Sequence, residues 1–216
     1  MTCRAIYMLS ALLLVGACVT SGTYSHQDYL QKKELRTVQS RENFQHCYGY
    51  GCRKVADVEL SQKEWQSITN GFEAVQTADQ ERAQISQAIG MFETIVGEKT
   101  GTKADKAGTY SNIAPLSHDC VDESVNTTIY LALLKQNGLL KFHTMHAPSA
   151  RVPILQGRLG FVPHQTASIT DTATNQRYAV DSWFHDNGHP AEIVAFETWK
   201  KGWNPSRNQH KNENNL

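Results

Sequence analysis

The chain has 216 residues, 40% hydrophobic and 19% charged, which is enough for one folded domain with a core and an appended segment. Its 21 Lys and Arg residues balance its 21 Asp and Glu residues, so the formal net charge is zero. A chain with no basic surplus and no cluster of Lys or Arg cannot displace many counterions from a phosphate backbone. Nucleic acid is therefore excluded as the partner.

The N-terminus is predicted to be a targeting segment. A single basic residue, Arg4, precedes an apolar stretch over 6–15 that is too short to span a bilayer as a helix. The stretch leads into Val-Gly-Ala-Cys at 15–18, which resembles the bacterial lipobox. In that motif the cysteine becomes the lipidated first residue of the mature protein, so Cys18 is the predicted lipidation site.

Residues 1–17 are accordingly predicted to be a lipoprotein signal peptide, and a plain secretory signal cut near Ala17 is the alternative. Val19 rather than aspartate follows the cysteine, which by the same resemblance favours a periplasm-facing anchor in the outer membrane. Both routes export the domain, either tethered to the membrane by lipid or free. Residues 18–43 are polar with sparse apolar positions, which predicts a spacer between the lipid and the domain.

Export makes the five cysteines informative. Cys3 leaves with the signal, and Cys18 carries the lipid. Cys47 and Cys52 flank a short glycine-rich turn that can bring them within bridging distance, so a disulfide is predicted between them. Cys120 is then an odd thiol in an oxidising compartment, and catalysis is an explanation for its presence.

Two helices are predicted before Cys120. Ser61 and Glu64 have the spacing of a capping box, and apolar residues follow at helical intervals. A second helix is expected to start near Thr77 or Asp79 and to stop at Gly97. We expect these two helices to pack under the core and cover one of its faces.

A loop rich in glycine, threonine and lysine follows over 97–117. It lacks the glycine–lysine spacing of a phosphate-binding loop and does not lead directly into an apolar helix. We expect it to shape a substrate cleft instead.

Cys120 is predicted to lie at the start of the next helix, which ends at Gly138. Asp119 and Asp122 are expected to cap this helix and to complement its dipole. Unpaired backbone N–H groups and the positive end of the dipole favour a thiolate, so a lowered pKa is expected for Cys120.

A strand is predicted over 139–147, followed by a hairpin with His164 on its first strand and Asp181 on its second. A turn symmetric about Thr172-Ala173 would place these two side chains opposite each other, with Cβ atoms roughly 4.5–5.5 Å apart. The alternative is a bulged turn with Asn175 in the left-handed conformation. That register puts the two on opposite faces unless a second bulge restores the pairing.

The order Cys120, His164, Asp181, with Asp-Cys-x-Asp opening a helix, resembles the transglutaminase-like branch of the papain-like cysteine enzymes. The bacterial transglutaminase-like cysteine peptidases are the most similar group, and the resemblance covers roughly Pro115 to Trp183. It implies an α+β fold with a papain/transglutaminase-like core, in which the nucleophile helix packs on a small antiparallel sheet. It also implies that Cys120 is the nucleophile, His164 the base and Asp181 the orienting carboxylate.

The resemblance implies an exported thiol enzyme that hydrolyses a peptide or isopeptide bond of a cell-envelope substrate, without a cofactor. The alternative is a non-catalytic binding or structural lipoprotein that keeps the fold. The transglutaminase-like domain, with the two helices at its start, is expected over 44–203. The polar tail over 204–216 is predicted to be disordered.

Two histidine pairs have spacings similar to metal ligands, His143 with His146 and His185 with His189. On a strand, the first two point to opposite faces. The second two bracket a turn signal, so no helical face aligns them. No metal site is predicted.

Overall fold

A computed structural model of the chain describes residues 24–38, 40–110, 115–151 and 163–205. Within these ranges the helices are α1 His26–Lys32, α2 Gln62–Thr69, α3 Ala78–Thr100, α4 Cys120–Gln136 and α5 Phe196–Lys200, with a 3₁₀ turn at Asn70–Ala74. The strands are β1 Phe44–Tyr48, β2 Lys54–Val58, β3 His143–Arg151, β4 His164–Asp171, β5 Arg177–Asp181 and β6 Glu192–Ala195.

The strands form two antiparallel sheets, a hairpin of β1 and β2 and a four-stranded meander in the order β3-β4-β5-β6. The protein is therefore a mixed α+β structure, as the sequence predicts. Helix α4 packs on β3, β4 and β5 and also contacts β1. It is buried along most of its length, and Val125, Leu131 and Leu133 are each 0% exposed. Its second half is apolar, whereas its first half also buries polar side chains, among them Asp122 and Asn126, so α4 is central to the core along both halves.

Local signals correctly predict where the first two long helices start. Ser61 caps α2 in a reciprocal capping box with Glu64, and Thr77 caps α3. The predicted stop at Gly97 is wrong, because α3 continues to Thr100 and ends at Gly101, which has φ +80. Gly97 instead allows a close approach, since a Cβ there would lie 3.0 Å from the Cα of Lys103.

The predicted strand over 139–147 begins later and extends further, as β3 from His143 to Arg151. The residues just before it are held by a buried side chain of α3. The Glu81 carboxylate accepts the backbone N–H groups of Lys141 and Phe142. These N–H groups therefore bond to a helix side chain, and the strand begins after them.

The segment predicted as a spacer is folded onto the domain over residues 24–38, which corrects that expectation. Ser25 and Asp28 cap α1, and Leu30, Leu35 and Val38 are 1%, 4% and 6% exposed within the main core. Leu30 lies on α1, and Leu35 and Val38 lie in the segment after it, so both the helix and the segment that follows pack on the core. The predicted signal peptide, Cys18 and residues 206–216 of the predicted tail lie outside the described residues. No helix in the described ranges is long and apolar enough to cross a bilayer.

Candidate active site

Cys120 is the first residue of α4, and its position is fixed by the caps that the sequence predicts. The Asp119 carboxylate accepts the N–H groups of Val121 and Asp122 at 3.0 and 2.9 Å, and Asp122 returns a bond to the N–H of Asp119. Both aspartates therefore act as helix caps. The first turn of α4 is held in one geometry around the thiol.

Asp122 also connects this turn to the predicted disulfide, which is present between Cys47 and Cys52. Its two carboxylate oxygens accept the backbone N–H groups of Tyr50 at 2.7 Å and Cys52 at 2.6 Å. Burial and the charge of Asp119 raise the pKa of Asp122 to about 6. The disulfide loop is thus anchored on the first turn of α4. Cys120 is the free cysteine of the described residues.

The Cys120 thiol is 5% exposed and donates to the carbonyl oxygen of Pro163 at an Sγ–O distance of 3.7 Å. Burial raises its pKa to about 11, and the charges of Asp119 and Asp181 add to this effect. The backbone N–H of Gln165 lowers the pKa in part. The expectation of a lowered pKa is therefore wrong, because the helix terminus does not compensate for the lost solvation of a thiolate.

His164 and Asp181 are in direct contact, at the start of β4 and the end of β5. The distance from His164 Nε2 to Asp181 Oδ2 is 2.7 Å, and the side chains are 3% and 2% exposed. A buried carboxylate on one ring nitrogen fixes the imidazole tautomer and orientation. This is the contact that a base with an orienting carboxylate requires.

The hairpin register differs by two residues from the symmetric one. Ala167 pairs with Val180, and continuing that register sets Asp181 opposite Thr166, so that His164 is its diagonal neighbour. A shift by an even number keeps both side chains on one face. The longer turn contains Asn175 at φ +58, as the alternative bulged turn requires, but His164 and Asp181 stay on the same face of the sheet.

The turn length has a local cause in the Asp171 side chain. Its carboxylate accepts the backbone N–H groups of Ala173 at 2.9 Å and Thr174 at 3.0 Å, and its own N–H bonds to Gln176 O. An Asx-type cap of this kind closes a turn longer than two residues.

The second ring nitrogen of His164, Nδ1, is buried and has no hydrogen-bond partner among the described residues. Pro163 and Gln165, the residues on either side, both contact the Cys120 sulfur through their backbones. The thiol therefore lies against the backbone on either side of His164. It bonds to Pro163 O and not to the imidazole.

Aromatic side chains enclose the imidazole. The rings of Trp183, Phe184 and Trp199 lie 4.6, 5.2 and 5.7 Å from that of His164. Trp183 is 7% exposed and donates its indole N–H to Thr109 O at 3.1 Å. It lies against the His164 ring and joins it to the loop that precedes Cys120.

Trp199 is a site residue that the sequence reasoning missed. Its indole N–H donates to Asp181 Oδ2 at 2.7 Å, and the side chain is 0% exposed. The guanidinium of Arg151 lies 4.6 Å from the centre of the Trp199 ring and donates to the carbonyls of Trp199 and Trp203. No motif marks Trp199, since its partner is on another element.

The histidine pairs considered as metal ligands do not form ligand sets within the described residues. His143 Nδ1 lies 2.8 Å from the buried carboxylate of Glu81. His146 bonds to Thr170 on β4. His185 is paired with Glu192 at 2.8 Å, and its ring stacks on that of His189.

A different buried group, Asp105, His118 and Glu123, lies behind the first turn of α4. His118 Nδ1 is 3.1 Å from Glu123 and 3.4 Å from Asp105. Burial alone lowers the pKa of His118, but hydrogen bonds to the two carboxylates outweigh it and raise the pKa well above its usual value. The three residues form a buried cluster in which the imidazole faces both carboxylates.

Comparison of the chain with protein-family models, with curated proteins and with solved structures gives no match. Any assignment of function therefore depends on the geometry of Cys120, His164 and Asp181.

Proposed function

We propose that this protein is a thiol acyl-transfer enzyme with a papain/transglutaminase-like core that hydrolyses a peptide or isopeptide bond. The observation that carries the proposal is the buried His164–Asp181 contact beside the free thiol at the start of α4. A histidine with only a structural role in the core does not need a ring nitrogen that lacks a partner near a cysteine. A catalytic base does need such a nitrogen, because it must accept the proton of the thiol.

The proposed reaction begins from a protonated thiol, because burial raises the pKa of Cys120 to about 11. His164 Nδ1 takes the thiol proton while Sγ attacks the carbonyl carbon of the substrate. Asp181, held by Trp199, keeps the imidazole oriented and stabilises the imidazolium. The backbone N–H of Cys120 would donate to the oxyanion that develops on the carbonyl oxygen.

The proton on His164 then passes to the leaving nitrogen, the carbon–nitrogen bond breaks, and a thioester on Cys120 remains. Water attacks the thioester and gives a proton to His164. The sulfur leaves, takes that proton back, and the carboxylic acid product is released. With an amine in place of water, the same steps form a new amide.

Export as a lipoprotein through Cys18 is part of the proposal. The disulfide between Cys47 and Cys52 supports an oxidising compartment, since such bonds are rare in the cytosol. Incorporation of a clickable palmitate analogue into the wild-type chain, and its loss in Cys18→Ser, would test the anchor. Export without incorporation in the wild-type chain favours the plain secretory signal.

A burst experiment with an activated ester tests the enzyme proposal. p-Nitrophenyl acetate should release about one equivalent of nitrophenol rapidly and leave an acetyl group on Cys120, detectable in the intact mass. Cys120→Ala and His164→Ala should both lose the burst. Equal release by the three proteins contradicts the proposal.

The alternative function is a non-catalytic binding or structural lipoprotein. The thiol bond to Pro163 O and the raised pKa of Cys120 favour it, because both keep the sulfur protonated. In that case, neither ester release nor thiol reactivity depends on His164.

A further inference from the structure

A pocket of about 370 Å³ opens beside the candidate active site. Its inner wall is formed by Trp183 and Phe184, and its outer wall by Ala107 and Gly108, with Pro205 also lining it. We refer to it as the Trp183 pocket. The two aromatic residues of the inner wall are also the ones that pack on the His164 ring.

Direct contacts hold the two walls together. Gly108 donates its N–H to the carbonyl of Trp183 at 2.9 Å, in a left-handed conformation with φ +70 that favours glycine. Asp186 accepts the N–H of Ala107 at 3.0 Å and pairs with Lys106 at 2.7 Å. The pocket is thus preformed rather than created by a ligand, which is the usual property of a specificity site.

The polar groups around the pocket already have partners. Lys106 and Asp186 neutralise each other, and His185 is paired with Glu192 at 2.8 Å. Asn204 is the other polar lining residue, and the rest of the wall is aromatic, aliphatic or glycine. A charged guest would therefore lose its solvation and find no charged partner. An apolar guest would bury its surface against two rings.

The pocket adjoins the candidate site through Trp183 and Phe184, whose rings contact that of His164. Tyr110, which is 50% exposed, lies with its ring 4.4 Å from that of Trp183. Burial and the nearby Cys120 sulfur raise the pKa of the Tyr110 hydroxyl. A side chain seated against Trp183 would therefore be separated from the His164 ring by the indole, whose centre lies 4.6 Å from that of the imidazole.

We propose that the Trp183 pocket binds an aromatic or large aliphatic side chain of the substrate, next to the bond that is cleaved. This inference rests on the proposed function, since it assigns the substrate preference of the same site. Acidic and glycine residues at that position are rejected because they lack apolar surface to bury.

Amino-acid chloromethyl ketones test the preference by alkylating Cys120. N-acetyl-phenylalanyl and N-acetyl-leucyl chloromethyl ketones should label the full-length protein at least about tenfold faster than the glycyl and aspartyl compounds. Ala107→Trp fills the pocket from its exposed wall and should bring the phenylalanyl-to-glycyl ratio close to one. Ala104→Trp, exposed on the same loop but outside the pocket, should keep the ratio. Equal labelling by all four compounds, or an unchanged ratio in Ala107→Trp, overturns the proposal.

A second measurement does not require a reactive thiol. The indole N–H resonance of Trp183, assigned with Trp183→Phe, should shift on titration with N-acetyl-phenylalaninamide and not with N-acetyl-glycinamide. The shift should be absent in Ala107→Trp, and its absence in the wild-type protein contradicts the pocket. If the Trp183 resonance shifts while Cys120 reacts independently of His164, the proposed binding pocket is supported and the proposed enzyme activity is contradicted. If the resonance does not shift while the reactivity of Cys120 depends on His164, the enzyme activity is supported and the binding pocket is contradicted.

Discussion

Trp199 and His164 bond to the same oxygen of Asp181, each at 2.7 Å. The indole N–H therefore holds the carboxylate in the orientation from which it meets the imidazole. Because Trp199 is fully buried, water does not compete for this oxygen from its side. In the proposed mechanism Trp199 is a positioning residue, acting on His164 through the carboxylate.

Trp199→Phe removes the N–H donor and keeps most of the ring. We expect the free energy of unfolding to fall by about 1.5–3 kcal/mol, the usual contribution of a hydrogen bond to a charged group. Urea denaturation measures it. Trp203→Phe, which keeps an edge contact with Phe184 but has no bond to Asp181, is the control and should change it less. Equal effects of the two substitutions would contradict the positioning role.

Leu30→Ala tests whether the N-terminal segment belongs to the domain. Leu30 is 1% exposed in the main core, so its truncation should cost about 2–5 kcal/mol of unfolding free energy. Gln31→Ala, exposed on the same helix, should change it by less than about 0.5 kcal/mol. A free spacer would give the same small change for both.

Glu93 on α3 should make stability depend on pH. Burial, followed by the charge of Glu123, raises the pKa of Glu93 well above its usual value. Its folded-state pKa is therefore above the unfolded one. The stability that the Glu93 carboxyl contributes is fully present below the unfolded-state pKa of about 4.3. It is lost as pH rises towards the folded-state pKa.

Glu93→Gln removes this loss while its side-chain oxygen can still accept the N–H of Gly188. Relative to the wild type, the variant should gain unfolding free energy between pH 5 and pH 8. Chemical denaturation at the two pH values measures it. Glu98→Gln, an exposed position paired with Lys103, should show no such gain. A pH-independent difference for Glu93→Gln would mean that the carboxyl is ionised in the fold.

The disulfide should stabilise the first turn of α4 through Asp122. Replacing Cys47 and Cys52 by serine should lower the free energy of unfolding by about 2 kcal/mol, as expected for closing a short loop. The free energy of unfolding of the double variant is compared with that of the wild type, measured with and without reductant. Cys120 is retained in every protein. If the stability does not change, the loop keeps its geometry without the bridge.

The elements that the sequence predicts well are those with local causes. The capping residues Ser61, Thr77 and Asp119 act within their own first turns, so their patterns are visible in the chain. The disulfide follows from a short turn between two cysteines. The contact of His164 with Asp181 was predicted from an incorrect hairpin register. The two side chains still share a face of the sheet because the observed register differs from the predicted one by an even number of residues.

The missed features depend on contacts between distant parts of the chain. Trp199 meets Asp181 through the packing of α5 on the sheet, and no local pattern encodes that contact. Gly97 lies inside α3, where Lys103 packs against it, although a glycine at this point of the sequence indicates the end of a helix. The pKa of Cys120 is set by burial, which the sequence around a helix terminus does not reveal.

The dependence of Cys120 reactivity on His164 is the most direct test of the account. Iodoacetamide alkylation at pH 7.5, followed by intact mass, gives a rate constant for the wild type, His164→Ala, Asp181→Asn and the exposed control His189→Ala. A general base at Nδ1 predicts that His164→Ala reacts at least about a hundredfold more slowly, Asp181→Asn also more slowly, and His189→Ala as the wild type. Equal rate constants for the wild type and a folded His164→Ala would contradict the central claim.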